Sequence, residues 1–175
     1  MTRRAFSLVE LLILIAVMSV LLAIVLASVG RSRDAVQSTV CLTQLSQIHS
    51  AFTQYSNQNH LVMPDPVATG VSWEASLAPY LGGGAAVFLC PADREVGPAT
   101  GSSYDWRDTG DPATTLAGRR LDETQRRDAV LSFESLPDWH ERGRINMVSI
   151  SGSARTMNAT ACFRDLQTSL KLGAD

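Results

Sequence analysis

A predominantly apolar stretch runs from Leu11 to Val29, in LLILIAVMSVLLAIVLASV, with no charge, glycine or proline in it. At about 1.5 Å of rise per residue, a helix of that length matches the ~30 Å hydrocarbon thickness of a bilayer. Only Ser19 and Ser28 are polar. The core helix of a soluble protein keeps a polar face, and this segment has none, so the pattern predicts a membrane-crossing helix. Beyond Val29 the chain turns polar but keeps a helical period. Cys41, Leu45, Ile48, Phe52 and Tyr55 recur at steps of four, three, four and three. Arg31, Arg33, Asp34, Gln37, Thr43, Gln44, Gln47 and Gln54 lie between them and suit water. The stripe predicts an amphipathic continuation over 30–60, with Gly30 as a point of slight bending and Asn57-Gln58-Asn59 as the stop.

The remainder, 61–175, reads as a small α+β domain. Pro64 to Gly70 is a loop. Ser72 caps a predicted helix over Trp73–Leu81, which Gly82-Gly83-Gly84 ends. Val87 to Pro91 is short, apolar and closed by proline, and residues 97–118 are loop-like, rich in Gly, Pro, Ser, Thr and Asp. Three strands are predicted, over Ala129–Ser135, Ile145–Ser151 and Ala154–Asn158, with Ser151-Gly152-Ser153 as a compact reversal. The tail from Cys162 to Leu172 spaces Phe163, Leu166 and Leu170 as a helix would. The fold class expected is a long N-terminal helix, half in lipid and half packed on a small antiparallel sheet through the Leu45–Tyr55 stripe.

One charge breaks the apolar pattern. Glu10 stands at the start of the run, and a carboxylate entering hydrocarbon costs about 2.5–3.5 kcal/mol on insertion scales. A secretory signal would explain Arg3, Arg4 and a cleavage site at Val25-Leu26-Ala27, and a plain anchor would explain the length. Neither explains the acid, which asks for a partner.

The string Arg3-Arg4-Ala5-Phe6-Ser7-Leu8-Val9-Glu10-Leu11-Leu12 resembles the prepilin cleavage and methylation motif of type IV pilins and type II secretion pseudopilins. The resemblance implies a leader over 1–5, cleavage between Ala5 and Phe6 by a membrane prepilin peptidase, and N-methylation of Phe6. It implies a transmembrane and assembly helix over 6–29, with Glu10 as the acid required for subunit assembly. The partners implied are other pilin subunits, the peptidase and methyltransferase, an inner-membrane assembly machinery and membrane lipid. The precursor would cross the inner membrane once, N-terminus in the cytoplasm and domain outside it, before joining a filament. Ala5 departs from the family's usual glycine, and the helix lacks the glycine and proline that many pilins carry there. Farther on, Trp73, Leu77-Ala78-Pro79-Tyr80-Leu81, Phe88-Leu89-Cys90-Pro91-Ala92-Asp93 and Ser103-Tyr104 are similar to pilin-like proteins of planctomycetes. So are His140, Gly143 and Ile145 to Ile150, although Ser151-Gly152-Ser153 replaces that family's acidic turn.

Composition adds mostly exclusions. Net charge is −2, and setting aside Arg3, Arg4 and Glu10 leaves 13 basic and 16 acidic residues, so no basic patch invites nucleic acid. The three cysteines show no CxxC spacing, which argues against a zinc site. Cys41 and Cys90 are left open between a disulfide tying helix to loop and two buried thiols. Asp105, Asp108 and Asp111 offer oxygens of the kind pseudopilins use for calcium, but their spacing is that of no known calcium loop, and a solvated acidic loop is the plainer reading. No cofactor is expected. His49 and His60 read as ordinary polar positions, and Asn158-Ala159-Thr160 as an incidental sequon. His140 beside Glu141, and Ser102 and Ser103, lack the paired base that nucleophilic catalysis needs, so no catalytic residue is assigned and an enzyme is not expected. The rivals to a filament subunit are a single-pass anchored protein that never polymerises and a tethered enzyme.

Overall fold

The structure, a computed structural model, describes residues 7–170. The chain divides into two units, one ending at Val36 and one beginning at Gln37. Helix α1, Leu8–Gln58, contributes to both.

In the first unit, Leu8–Leu26 is long and apolar enough to cross a membrane, and none of it is buried. Its large side chains are at least half exposed all around the helix. The Ser19 hydroxyl donates back to the Ala16 carbonyl at 2.8 Å, so this polar group is satisfied without water.

The second unit is α+β. After α1 come α2 (Pro66–Thr69), α3 (Trp73–Leu77), α4 (Val96–Thr100) and α5 (Ala159–Leu166), with strands β1 (Tyr104–Trp106), β2 (Val130–Glu134), β3 (Arg144–Ser149) and β4 (Ala154–Asn158). The strands form one antiparallel sheet in the order β1-β2-β3-β4, with a register irregularity between Val130 and Ser132. One face packs on the C-terminal part of α1: Cys41, Leu45, Ile48, Ala51 and Phe52 share a cluster with Leu131, Val148, Ile150 and Trp106. Tyr55 packs partly buried at its edge. Phe52 stacks on Trp73 and tilts against Trp106, with centroids 5.7 and 5.1 Å apart, contacts worth about 0.5–1.5 kcal/mol each beyond simple burial.

The opposite face is also covered. Val130, Phe133, Ile145 and Met147 pack with Ala159 and Cys162 of α5. The predicted two layers are therefore three, and this explains why β2 and β3 are buried along almost their whole length rather than on alternate residues. Several boundaries differ from expectation for local reasons. The helix predicted to Leu81 leaves α geometry after Leu77 and continues as a 3-10 turn over Ala78–Tyr80, because Pro79 has no N–H and its ring crowds the carbonyl four residues back. The segment 97–118 is not all loop: it contains β1 and most of α4. The tail helix starts at Ala159, not Cys162, because the Asn158 side chain accepts from the Ala161 N–H; the apparent sequon is a helix cap. Leu170 lies beyond α5, buried with the α1-side cluster, its N–H donating to the Ala113 carbonyl. α1 itself ends in a six-to-one bond from the Leu61 N–H to the Ser56 carbonyl, with His60 left-handed where glycine is usual.

Candidate functional site

Two places collect chemistry, one in each unit. In the first, Glu10 lies in the opening turn of α1, exposed, with no hydrogen-bond or ion-pair partner among the described residues. The proposed cleavage and methylation positions, Ala5 and Phe6, lie outside the described residues.

The second is built around Cys41, on α1, and Cys90, just past a 3-10 turn over Gly84–Phe88. The two are joined in a disulfide with Cα atoms 5.5 Å apart. It closes a 49-residue separation, and a chain-entropy estimate credits such a loop with about 4 kcal/mol. The loop beyond it is held by a chain of bonds through the Cys90-Pro91-Ala92-Asp93 and Ser103-Tyr104 motifs. The Cys90 N–H donates to Ser103 Oγ (3.0 Å), and that hydroxyl donates to Asp93 Oδ2 (2.6 Å). Asp93 also accepts from the N–H groups of Glu95, Val96 and Gly97. Burial pushes its carboxyl upward, but these bonds outweigh burial and hold it below the usual carboxylate range. Gly97 permits the arrangement: a Cβ there would sit 2.4 Å from Ser103 Oγ and 2.9 Å from Asp93 Oδ2. Tyr104, on β1, donates to Gln44 of α1 at 2.6 Å, and burial followed by the charges of Glu134 and Asp93 pushes its hydroxyl upward.

On the sheet side of the disulfide, His140 Nε2 lies 3.4 Å from Cys90 Sγ and 3.0 Å from Glu134 Oε1. Glu134, at the end of β2, is further held by Asn146 on β3, whose backbone N–H donates to Oε2 (2.9 Å) and whose side-chain amide donates to Oε1 (3.0 Å). Asn146 accepts in turn from Thr156 at 2.6 Å and bonds Ser38 of α1. His140 Nδ1 is buried without a hydrogen-bond partner among the described residues.

The other sequence candidates fare differently. Asp105, Asp108 and Asp111 do not form a compact ligand group among the described residues. Their oxygens serve local turns: Asp105 accepts from the Trp106 N–H, Asp108 from Thr115, and Asp111 from the Ala113 N–H and Thr114. Burial pushes the Asp105 carboxyl upward. His49 is more than a surface position, since its Nε2 lies 3.1 Å from the Ile150 carbonyl and Gly152 packs against the ring so closely that a Cβ would clash. Sequence reasoning missed Glu134, His140 and Asn146 as one group, and missed Arg107. Their signal was a carboxylate inside a predicted apolar strand and an arginine between buried aromatic and turn residues.

Compared with family models, curated proteins and solved structures, the chain matches none.

Cys162 is free and buried against the sheet, and burial pushes its thiol up to about 12. Alkylation of the native protein at pH 8 is expected to label no cysteine, denaturation without reductant one, and denaturation with reductant three. Counting adducts by mass spectrometry checks this. Three labels without reductant would mean that Cys41 and Cys90 are free thiols.

Proposed function

We infer that the chain is a filament subunit of the type IV pilin or pseudopilin kind, cut between Ala5 and Phe6, methylated at Phe6 and polymerised through α1. The observation that carries this reading is Glu10, a carboxylate without a partner among the described residues, near the start of the otherwise uncharged apolar span Leu8–Leu26 of α1. Left alone in hydrocarbon the charge is costly, up to about 2.5–3.5 kcal/mol at a helix centre on insertion scales. The amine freed at Phe6 of a neighbouring subunit is cationic and lies at similar depth, so pairing relieves both charges at once. Pairing with the amine of a second copy makes the contact a device for registration as well as for adhesion. The α+β second unit, with the end of α1 buried on an antiparallel sheet, suits a subunit whose helix forms the filament core and whose domain faces outward. A disulfide in that unit suits an oxidising compartment outside the cytoplasm.

The test is intact-mass analysis of the protein purified from membranes that contain a prepilin peptidase. A chain beginning at Phe6 and carrying one added methyl group is expected. An intact Met1 would indicate an anchored protein that is not processed, and a start at Ser28 a secreted one; either outcome removes the filament reading.

A further inference from the structure

A structural disulfide asks little of its surroundings beyond packing. Around Cys41–Cys90 the chain instead buries a carboxylate and an imidazole, with the side chains of Glu134 and His140 only 2% and 5% exposed. Burying such groups costs several kcal/mol unless their charges and lone pairs are used. One donor atom from each of Cys41, Cys90, Glu134 and His140 lies within 4.8 Å of every other. Tetrahedral zinc, with Zn–S of about 2.3 Å and Zn–N or Zn–O of about 2.0–2.2 Å, sets its donors roughly 3.3–3.8 Å apart. The four need only small shifts to reach that spacing once the sulfurs separate.

We propose that Cys41, Cys90, Glu134 and His140 form a redox-gated zinc site, in which the disulfide is the metal-free state and the dithiol binds one Zn²⁺. Two thiolates, an imidazole and a carboxylate make a closed four-donor set that suits zinc and is too soft for calcium or magnesium. Two of the ligands already have the supports that metal ligands need, while His140 Nδ1 is buried without a partner among the described residues. Asn146 fixes both carboxylate oxygens of Glu134, and Ser103 fixes the backbone of Cys90 while itself held by Asp93. The site escapes spacing rules because its donors come from α1, a loop, the end of β2 and the β2–β3 connection.

Reduction and metal loading conserve electrons and protons. A dithiol reductant attacks one sulfur, passes through a mixed disulfide and leaves as its own cyclic disulfide, having delivered two electrons and two protons to Cys41 and Cys90. Zn²⁺ then displaces both thiol protons to solvent and takes the lone pair of His140 Nε2, whose proton, directed at Glu134 in the metal-free state, moves to Nδ1, so that two metal bonds replace the His140–Glu134 hydrogen bond. Two thiolates and one carboxylate leave the loaded site with a single net negative charge, facing the Asn146 donors.

The probe is Co²⁺ added to the full chain in detergent after reduction with a phosphine, which becomes the phosphine oxide by taking oxygen from water. The expected result is thiolate-to-cobalt charge-transfer absorption with intense tetrahedral visible bands, saturating at one Co²⁺ per chain and bleached by one equivalent of Zn²⁺. The oxidised chain is expected to give neither. Glu134→Gln and His140→Gln should each weaken Zn²⁺ binding by about 100-fold, at the upper end of what loss of even a supporting group costs. If reduction unfolds the second unit, Zn²⁺ should restore its circular dichroism, because binding energy then adds to folding. Absence of the charge-transfer band, unaltered affinity in both variants, or failure of Zn²⁺ to refold a reduced and unfolded chain would each overturn the proposal and leave a plain structural disulfide.

Discussion

Asp165→Asn is expected to lower the stability of the second unit by about 3–5 kcal/mol, because it strands a buried cation. Arg107 has a fully buried side chain, and all five of its guanidinium donors are engaged. They reach the carbonyls of Thr114, Val130, Asp165 and Thr168 and, at 2.8 Å, Asp165 Oδ2. Asp165, 16% exposed, also accepts from Arg126 and from the Val130 N–H. One carboxylate thereby ties the end of α5 to β2 and to the loop after β1. A loss of that size corresponds to a fall in Tm of roughly 10–20 °C for a domain of about this length. The pH dependence follows from the direction of the shift. Burial pushes the Asp165 carboxyl up, but the Val130 N–H, Arg126 and Arg107 hold it below its usual value. Its contribution is therefore complete above the unfolded pKa of about 4 and fades as pH falls through the lower folded value. Thermal melts of wild type and variant should differ most near pH 7 and converge in acid. The pair Arg107→Met and Asp165→Leu together should recover part of the loss, since the fully buried Arg107 cation goes with its partner, while Arg126 and the Val130 N–H still lose their acceptor. A loss below about 1 kcal/mol at pH 7 would match an exposed ion pair and rule out a stranded buried cation.

Glu10→Leu should have the opposite signature, harmless to the monomer and severe for assembly. Leucine removes the cost of a charge in lipid, so the variant should sit in the membrane at least as well as wild type. It also removes what a neighbour's amine would pair with. Pairing relieves at most about 2.5–3.5 kcal/mol per contact, the insertion cost at a helix centre, so incorporation relative to the membrane pool should fall by roughly tenfold to 100-fold. The measurement is the ratio of sheared filament to membrane-bound subunit, with the melting of the second unit as a control that should not move. Incorporation within a few-fold of wild type would remove the role assigned to Glu10.

How much of the fold was legible in the sequence depended on how local the cause was. The long helix was readable because a sustained period and an unbroken apolar run need no partner to be recognised; the buried stripe of Cys41, Leu45, Ile48 and Phe52 lies where the spacing put it. β3 was readable from the rough alternation of Ile145, Met147 or Val148, and Ile150, and β4 from the Ser151-Gly152-Ser153 reversal before it. β1 and α4 were not. Each is three to five residues among turn-formers, and what holds them is distant: Tyr104 pairs with Glu134, and the Ser103 N–H donates to the Phe88 carbonyl. The role of α5 as a second cover for the sheet was hidden for a related reason, since doubly buried strands lose the alternation that would reveal which face is wet. At the disulfide, the cysteines could be named as a candidate pair, but Glu134, His140 and Asn146 converge only after the strands are registered. Gly97 looked like loop punctuation and proves to be a position where only glycine is small enough to lie beside Ser103 and Asp93.

The most direct test of the assembly claim is chemical. An apolar carbodiimide, applied to assembled filaments, joins a carboxylate to an amine only where they touch. Digestion and sequencing by mass spectrometry should recover an amide between the N-terminal Phe6 of one subunit and Glu10 of another, lost in Glu10→Leu. Filaments in which Glu10 takes up the reagent yet no such amide forms would show that the acid and the neighbouring amine do not meet, and would contradict assembly through that pair.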